Sequence, residues 1–169
     1  MMRSWLVFEG PIRHALHQLK YYQNMALGEA LAKPFAEFLD KLDWNVDLVV
    51  PVPLGKKRMK ERGYNQVGLV AMPLAATLNR IYAPQALIRS RETKSQVGLT
   101  HTERKSNVCG AFIAEMGLVS GATVLLVDDV ATTGATLSAC ATALLEAGAR
   151  SIYASTLTRA LSHQGLNTI

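Results

Sequence analysis

The chain has 169 residues, 49% of them apolar, and a net charge of +5. This is enough for one domain with a sizeable core, and no low-complexity stretch suggests a disordered or fibrous chain. No apolar run approaches a bilayer span, and MMRSWLVFEG lacks the pattern of a secretion signal, so a cytoplasmic protein with no membrane partner is expected. Two cysteines far apart, Cys109 and Cys140, give no support to a disulfide framework or zinc site and read as buried thiols.

In chain order, residues 11–22 read as a helix that starts at Pro11 and gathers Ile12, Leu16 and Leu19 on one face. His14 and His17 on it have metal-ligand spacing but no third ligand nearby, which favours surface histidines. A second helix covers Met25 to Leu42, with Pro34 as a kink or fresh start. Asp47 to Pro53 reads as a strand, followed by a basic loop from Leu54 to Asn65. A helix at 66–80 is broken in pattern by Pro73, and a short strand follows at 86–88. Arg89 to Thr100 is polar loop. A short helix at 101–107 carries Thr100 and Glu103 at capping-box positions. Cys109 to Ile113 reads as a strand, Val124 to Val127 as another, Ala135 to Ala147 as a helix stopped by Gly148, and Ser151 to Leu157 as the last strand. Alternating strands and helices predict an α/β fold around a mainly parallel sheet, with the N-terminal helices flanking or capping it.

The most informative stretch is VLLVDDVATTGAT, Val124 to Thr136. An apolar strand of this kind belongs in a sheet covered on both faces, and open α/β sheets bind ligands at the carboxyl ends of their strands. Asp128 and Asp129 stand at that end. Ala131, Thr132, Thr133, Gly134, Ala135 and Thr136 have no bulky side chain, so their backbone N–H groups can wrap a phosphate beside a helix N-terminus. Two carboxylates make no sense for phosphate alone. They fit a ligand that also presents a sugar diol, or a Mg²⁺ ion held through water or the ligand. The local chemistry is that of a ribose 5-phosphate unit. The stretch resembles the phosphoribosyl-pyrophosphate (PRPP) signature of type I phosphoribosyltransferases, with two apolar residues, Asp-Asp-Val, any residue, Thr-Thr-Gly, any residue and Thr all in place.

PVPLGKKR, Pro51 to Arg58, also follows a strand, and it resembles the pyrophosphate loop of amidophosphoribosyltransferases. On that resemblance Pro53, Leu54, Gly55 and Lys56 would hold pyrophosphate, although Leu54 replaces the usual acidic or hydroxyl residue. RSRETKSQVGLTHTERKSNVCGAF, Arg89 to Phe112, lies where these enzymes carry a flexible catalytic loop. Arg91 and Lys94 are its catalytic candidates, with Thr93, Gln96 and Arg104 beside them. Together with RGYNQ at 62–66 and the LKY of the first helix, these segments resemble the ComF family, the competence-associated branch of the phosphoribosyltransferases. Many members begin with a cysteine-rich zinc module, and this chain has no Cys before Cys109.

The resemblance implies the type I phosphoribosyltransferase fold as a single domain, with a helical cap or hood over about residues 1–45 and a PRPP-binding core over 46–160. It also implies Mg²⁺, PRPP and pyrophosphate as ligands, a nitrogen acceptor, and room for a homodimer. The alternative it carries is a DNA-uptake accessory with partner proteins, in which the PRPP site is regulatory or vestigial. The basic groups at 56–62, 89–94 and 104–105 suit a polyanion, but only Tyr64 is interleaved for base stacking, so direct nucleic-acid binding has little support. Walker A and Gly-x-Gly-x-x-Gly patterns are absent, which argues against an NTPase or dinucleotide enzyme.

Overall fold

The computed structural model describes residues 1–93 and 100–160, with the side chains of residues 101, 102, 104 and 105 left out. In chain order it contains β1 (Met2–Val7), α1 (Gly10–Tyr21), α2 (Met25–Asp40), β2 (Leu48–Pro51), α3 (Lys56–Arg62), α4 (Gln66–Thr77) and β3 (Ile81–Tyr82). These are followed by β4 (Leu87–Arg89), α5 (His101–Val108), β5 (Phe112–Ala114), α6 (Met116–Val119), β6 (Thr123–Ala131), α7 (Ala135–Glu146) and β7 (Ser151–Arg159).

Five strands form one sheet in the order β1-β7-β6-β2-β3, and every pairing in it is parallel. The two short strands β4 and β5 make a separate antiparallel pair. The sheet is covered on both faces, as parallel sheets require. Side-chain alternation divides its core in two. Leu48, Val50, Val124 and Leu126 pack with Leu137, Cys140 and Leu144 of α7 and with Leu87 and Phe112 of the hairpin. Val49, Leu125 and Val127 face the other way, toward Leu16 and Leu19 of α1, Phe35 and Leu39 of α2, and Val70 and Leu74 of α4.

Helix α2 buries Ala32, Phe35, Ala36 and Leu39, the i, i+3, i+4, i+7 stripe of an amphipathic helix. Its Gly28 lies so near α4 that a Cβ there would come within 2.4 Å of the Leu69 carbonyl oxygen. Both Pro34 and Pro73 sit inside helices assigned without a break.

Besides the short β3 and α6, for which no element was expected, four features differ from the sequence reading. The N-terminus, for which no element was expected, forms β1 along β7, with Trp5 stacked 5.6 Å from Phe35. Residues 1–45 thus supply an edge strand and two helices on one face of the sheet. The basic segment after β2 is helical, as α3, because glycines bound it at Gly55 and Gly63 even though no residue in it is buried. Strand β6 runs on through both acids to Ala131, since β7 pairs with it up to Arg159. Cys109 is exposed and only Cys140 is buried, because the chain turns outward between α5 and β5. The capping box formed by Thr100 and Glu103 is present as expected. Among the described residues, no helix is long and apolar enough to cross a membrane.

Candidate functional site

The strand order places a topological switch point between β2 and β6. The chain leaves β2 toward β3 on one side and leaves β6 toward β7 on the other. A crevice opens where such diverging connections part, at the carboxyl ends of the strands. Val52 donates its N–H to the Val127 carbonyl at 2.8 Å, so the loops after both strands start at the same level. Residues 53–56 and 131–136 therefore leave the sheet side by side, at the end of β6 that carries Asp128 and Asp129.

The second of these loops has the backbone of an anion cradle. Gly134 precedes α7 with φ 75°, a left-handed conformation that a residue with a Cβ adopts at a cost. Gly134 has no side chain to cap α7, whose first turn carries no acid; only the Thr133 hydroxyl reaches the helix start, accepting the Ala135 N–H at 3.4 Å, so no built-in carboxylate occupies the helix N-terminus. Thr132, Thr133, Ala135 and Thr136 are half-buried and reachable, while Ala131 closes the end of β6.

The two acids are held differently. Asp128 Oδ1 accepts the N–H of Asp129 at 2.9 Å. Burial and the neighbouring Asp129 charge push its carboxyl well above the usual carboxylate range. Asp129 Oδ1 accepts the Val130 N–H at 2.8 Å, and its Oδ2 lies 3.0 Å from Gln66 Nε2 and 3.3 Å from Lys20 Nζ. Burial acts to raise Asp129, but the Lys20 charge and the Gln66 hydrogen bond outweigh it and hold the carboxyl below its ordinary value. Gln66 is oriented in turn by Arg62, which donates to its amide oxygen.

Lys20 and Gln66 were not among the residues expected at the site. They stand within the LKY and RGYNQ segments, and the structure shows what those segments do. Tyr64 Oη donates to the Leu19 carbonyl at 2.8 Å and accepts the Gln23 N–H at 2.9 Å. Asn65 Nδ2 donates to the Val52 carbonyl at 2.9 Å, and its Oδ1 caps α4 through the Val67 N–H. Residues 62–66 thus tie the end of α1, the loop after β2 and the acidic pair together.

On the first loop, Gly55 is buried and Lys56 opens α3. Glu92 reaches back to it: Oε1 accepts the Lys57 N–H at 3.1 Å, and a Cβ on Gly55 would meet Oε2 at 2.7 Å. Arg91 is exposed and donates to the carbonyls of Cys109 at 2.8 Å and Asn107 at 3.2 Å, beside the end of α5. Arg89 is a cation whose place the sequence did not reveal. It is half-buried against the Phe112 ring, bonded to Thr93, and its Nε is buried with no partner among the described residues. Burial first, then the Arg58 charge, lowers its pKa, while Glu92, Cys140 and Asp128 act in the opposite sense. Lys94 and Gln96 fall outside the described residues, as does the side chain of Arg104. His14 and His17 are exposed.

Among the described residues, no group of three or more His, Cys, Asp or Glu could hold a metal. Such a donor set fits Mg²⁺ only in the manner usual for that ion, with one or two carboxylates completed by water and ligand phosphates.

A parallel sheet with a Thr/Gly anion loop and an acidic pair at its switch point defines the class of phosphoribosyltransferase-type proteins. The phosphoribosyl transferase domain model matches residues 17–166, and the chain belongs to that family. Its relatives include proteins of the competence-associated ComF branch. The chain is 34% identical over 158 residues to the DNA utilization protein YhgH of Escherichia coli K12, covering 89% of this chain and 68% of that protein. It is likewise 34% identical over 159 residues to the competence protein ComFC of Bacillus subtilis, covering 93% and 63%. The glutamine PRPP amidotransferase of B. subtilis, solved with ADP and GMP, superposes with a TM-score of 0.56 at 19% identity. That overlap covers 84% of this chain but 30% of the amidotransferase, and it shows the shared fold alone.

Proposed function

We propose that the protein binds PRPP with Mg²⁺ in the crevice between β2 and β6 and transfers its phosphoribosyl group to a nitrogen acceptor. The observation that supports this best is the pairing, at one switch point, of a Thr/Gly loop that carries no acid with an acidic pair. Ala131, Thr132, Thr133, Gly134, Ala135 and Thr136 would receive the 5′-phosphate on backbone N–H groups and hydroxyls. Asp128 and Asp129 would serve the ribose diol and the waters of the ion. Pro53, Leu54, Gly55 and Lys56 would receive the pyrophosphate.

In the reaction, the bond from C1′ to the pyrophosphate oxygen breaks and a bond from C1′ to the acceptor nitrogen forms. Pyrophosphate departs with the electron pair, and the acceptor nitrogen loses a proton. When bound, Mg²⁺ supplies charge neutralisation for the diphosphate. The protein's own contribution is orientation and positive charge. The loop after β2 would bring backbone N–H groups and Lys56 toward the leaving group, and Arg91 and Lys94 are the candidates to approach it from the loop that follows β4. Residues 1–45 are the available material for an acceptor-recognising hood, in a single domain in which 46–160 would hold the PRPP site while β1, α1 and α2 also share the sheet and core.

The second reading is a DNA-uptake accessory in which the same site is regulatory. The names of the relatives favour it, as does α3, which puts Lys56, Lys57, Arg58, Lys60 and Arg62 on a helix with no buried residue. Against direct strand binding, the hydroxyl of Tyr64 is engaged on Leu19 and Gln23.

The test is PRPP-dependent pyrophosphate release across a panel of nitrogen acceptors (ammonia, purines and pyrimidines). Release that needs one acceptor and is lost in Asp128→Asn supports transfer. PRPP binding without release for any acceptor favours the regulatory reading. Homodimer formation and partner proteins would then be examined with and without PRPP.

A further inference from the structure

The two adjacent carboxylates lie within hydrogen-bond reach of each other, yet they are held by different partners. Strand β6 alternates through its apolar run, with Val124 and Leu126 on the α7 side and Leu125 and Val127 on the side of α1, α2 and α4. At the carboxyl end of the strand this alternation lapses, for Val130 packs on the side of α1, α2 and α4 and Ala131 on the α7 side. Asp128 lies within the electrostatic reach of Arg89 and of Cys140 on α7, and of Lys20 and Asp129 as well, but among the described residues no ion pair or side-chain amide holds it. Asp129 turns to Lys20 on α1 and Gln66 on α4.

Asp129 is also occupied. Its carboxylate has a Lys ammonium and an amide N–H on Oδ2 and the Val130 N–H on Oδ1, and the residue is only 9% exposed. Its backbone carbonyl accepts the Thr158 hydroxyl at 3.2 Å. To bind a ribose diol, Asp129 would have to surrender an ion pair whose Lys20 side chain is 17% exposed, leaving that ammonium unpaired in a poorly hydrated place.

We infer that the acidic pair is divided in role: Asp128 meets the ligand, while Asp129, clamped by Lys20 and Gln66, is a positioning residue that ties α1 and the Arg62–Gln66 segment to the ribose end of the crevice. This rests on the PRPP reading above and narrows it, giving the ribose contact to Asp128 instead of to both acids. It assigns Lys20 a role through Asp129 rather than on the substrate. It also makes α1 part of the site's support, since Lys20 sits one residue beyond the Leu19 carbonyl that Tyr64 holds.

The experiment titrates Mg²⁺ and PRPP into wild type, Asp128→Asn, Asp129→Asn, Lys20→Met, Lys20→Arg and the Lys20→Met/Asp129→Asn double variant. Each protein's melting temperature is measured without ligand. Asp128→Asn should lose at least about tenfold in affinity with its melting temperature unchanged or raised. Asp129→Asn and Lys20→Met should each melt earlier and bind about threefold more weakly. The double variant should lose no more affinity than either single one, because both remove the same contact, and Lys20→Arg should restore binding.

A tenfold loss in Asp129→Asn with unchanged or tighter binding in Lys20→Met would overturn the inference, by showing Asp129 on the ligand and Lys20 as its competitor. Equal affinity in Asp129→Asn with only a lower melting temperature would overturn it as well, leaving a structural role alone. Absence of PRPP binding in folded wild type would instead overturn the proposed function, and this inference with it.

Discussion

Tyr64→Phe isolates the link between the RGYNQ segment and α1. The substitution keeps the ring and removes one oxygen. That oxygen satisfies the Leu19 carbonyl at 2.8 Å and receives the Gln23 N–H at 2.9 Å. Leu19 lies in the last turn of α1, where carbonyls have no partner within the helix. It is fully buried, so water cannot readily replace the hydroxyl. Gln23 is exposed and can find water, although its φ of 46° is one of three left-handed non-glycine conformations among the described residues. One unsatisfied buried carbonyl costs about 1–3 kcal/mol. With Gln23 hydrated, about 1–2 kcal/mol is expected, equivalent to a melting temperature lower by roughly 2–8 °C for a chain of this size. Urea unfolding of wild type and Tyr64→Phe at equal protein concentration measures it. A difference below about 0.3 kcal/mol would refute the assignment of this hydroxyl as the clamp on α1.

Three further outcomes are expected. Gly134→Ala meets nothing closer than the Met2 sulfur at 3.6 Å, so its cost is conformational, about 1–2 kcal/mol for a Cβ at φ 75°; calorimetric melting reads the loss, and titration with ribose 5-phosphate should weaken alongside it. Asp47 accepts the Thr123 N–H at 2.7 Å and pairs with Arg150 at 3.1 Å, and the Thr123 hydrogen bond chiefly holds its carboxyl below the ordinary value. A depressed carboxyl stabilises the fold above its unfolded-state pKa and loses that effect as pH falls through the folded one, so the stability gap between wild type and Asp47→Asn should close below about pH 4. Glu92 places its own carboxylate against Gly55 and the Lys57 amide, so Glu92→Gln should bind pyrophosphate about threefold more tightly than wild type; unchanged or weaker binding by calorimetry would show that the ligand does not contend with Glu92.

The central strand–loop–helix was legible because each of its parts is local. An apolar run, adjacent acids and a loop of small residues have one economical reading in an α/β chain, and the fold class followed from the alternation of elements. What the sequence concealed depends on distant partners. Strand β1 is an edge strand with Arg3, Leu6 and Val7 exposed, so MRSWLV shows no clean alternation. Its strand state comes from pairing with β7 at the far end of the chain. Helix α3 has no buried residue to give it a periodic stripe. At the site, the acids and the loop were visible, but the different environments of Asp128 and Asp129 were not. Gln66 lies 63 residues from Asp129, and Lys20 is farther still. RGYNQ carried a signal through its resemblance to the family, and only its placement across α1, β2 and β6 gives that signal a physical meaning. Cys109 looked like an ordinary buried thiol because nothing local shows that the chain turns outward before β5.

The most direct test of the account is calorimetric titration of PRPP with Mg²⁺ into wild type and the Asp128→Asn/Asp129→Asn double variant. Saturable binding to wild type that weakens at least about tenfold in the variant, or about 1.4 kcal/mol, is the predicted result. A folded wild-type protein that takes up no PRPP would contradict the account and turn attention to DNA and protein partners as the ligands of this fold.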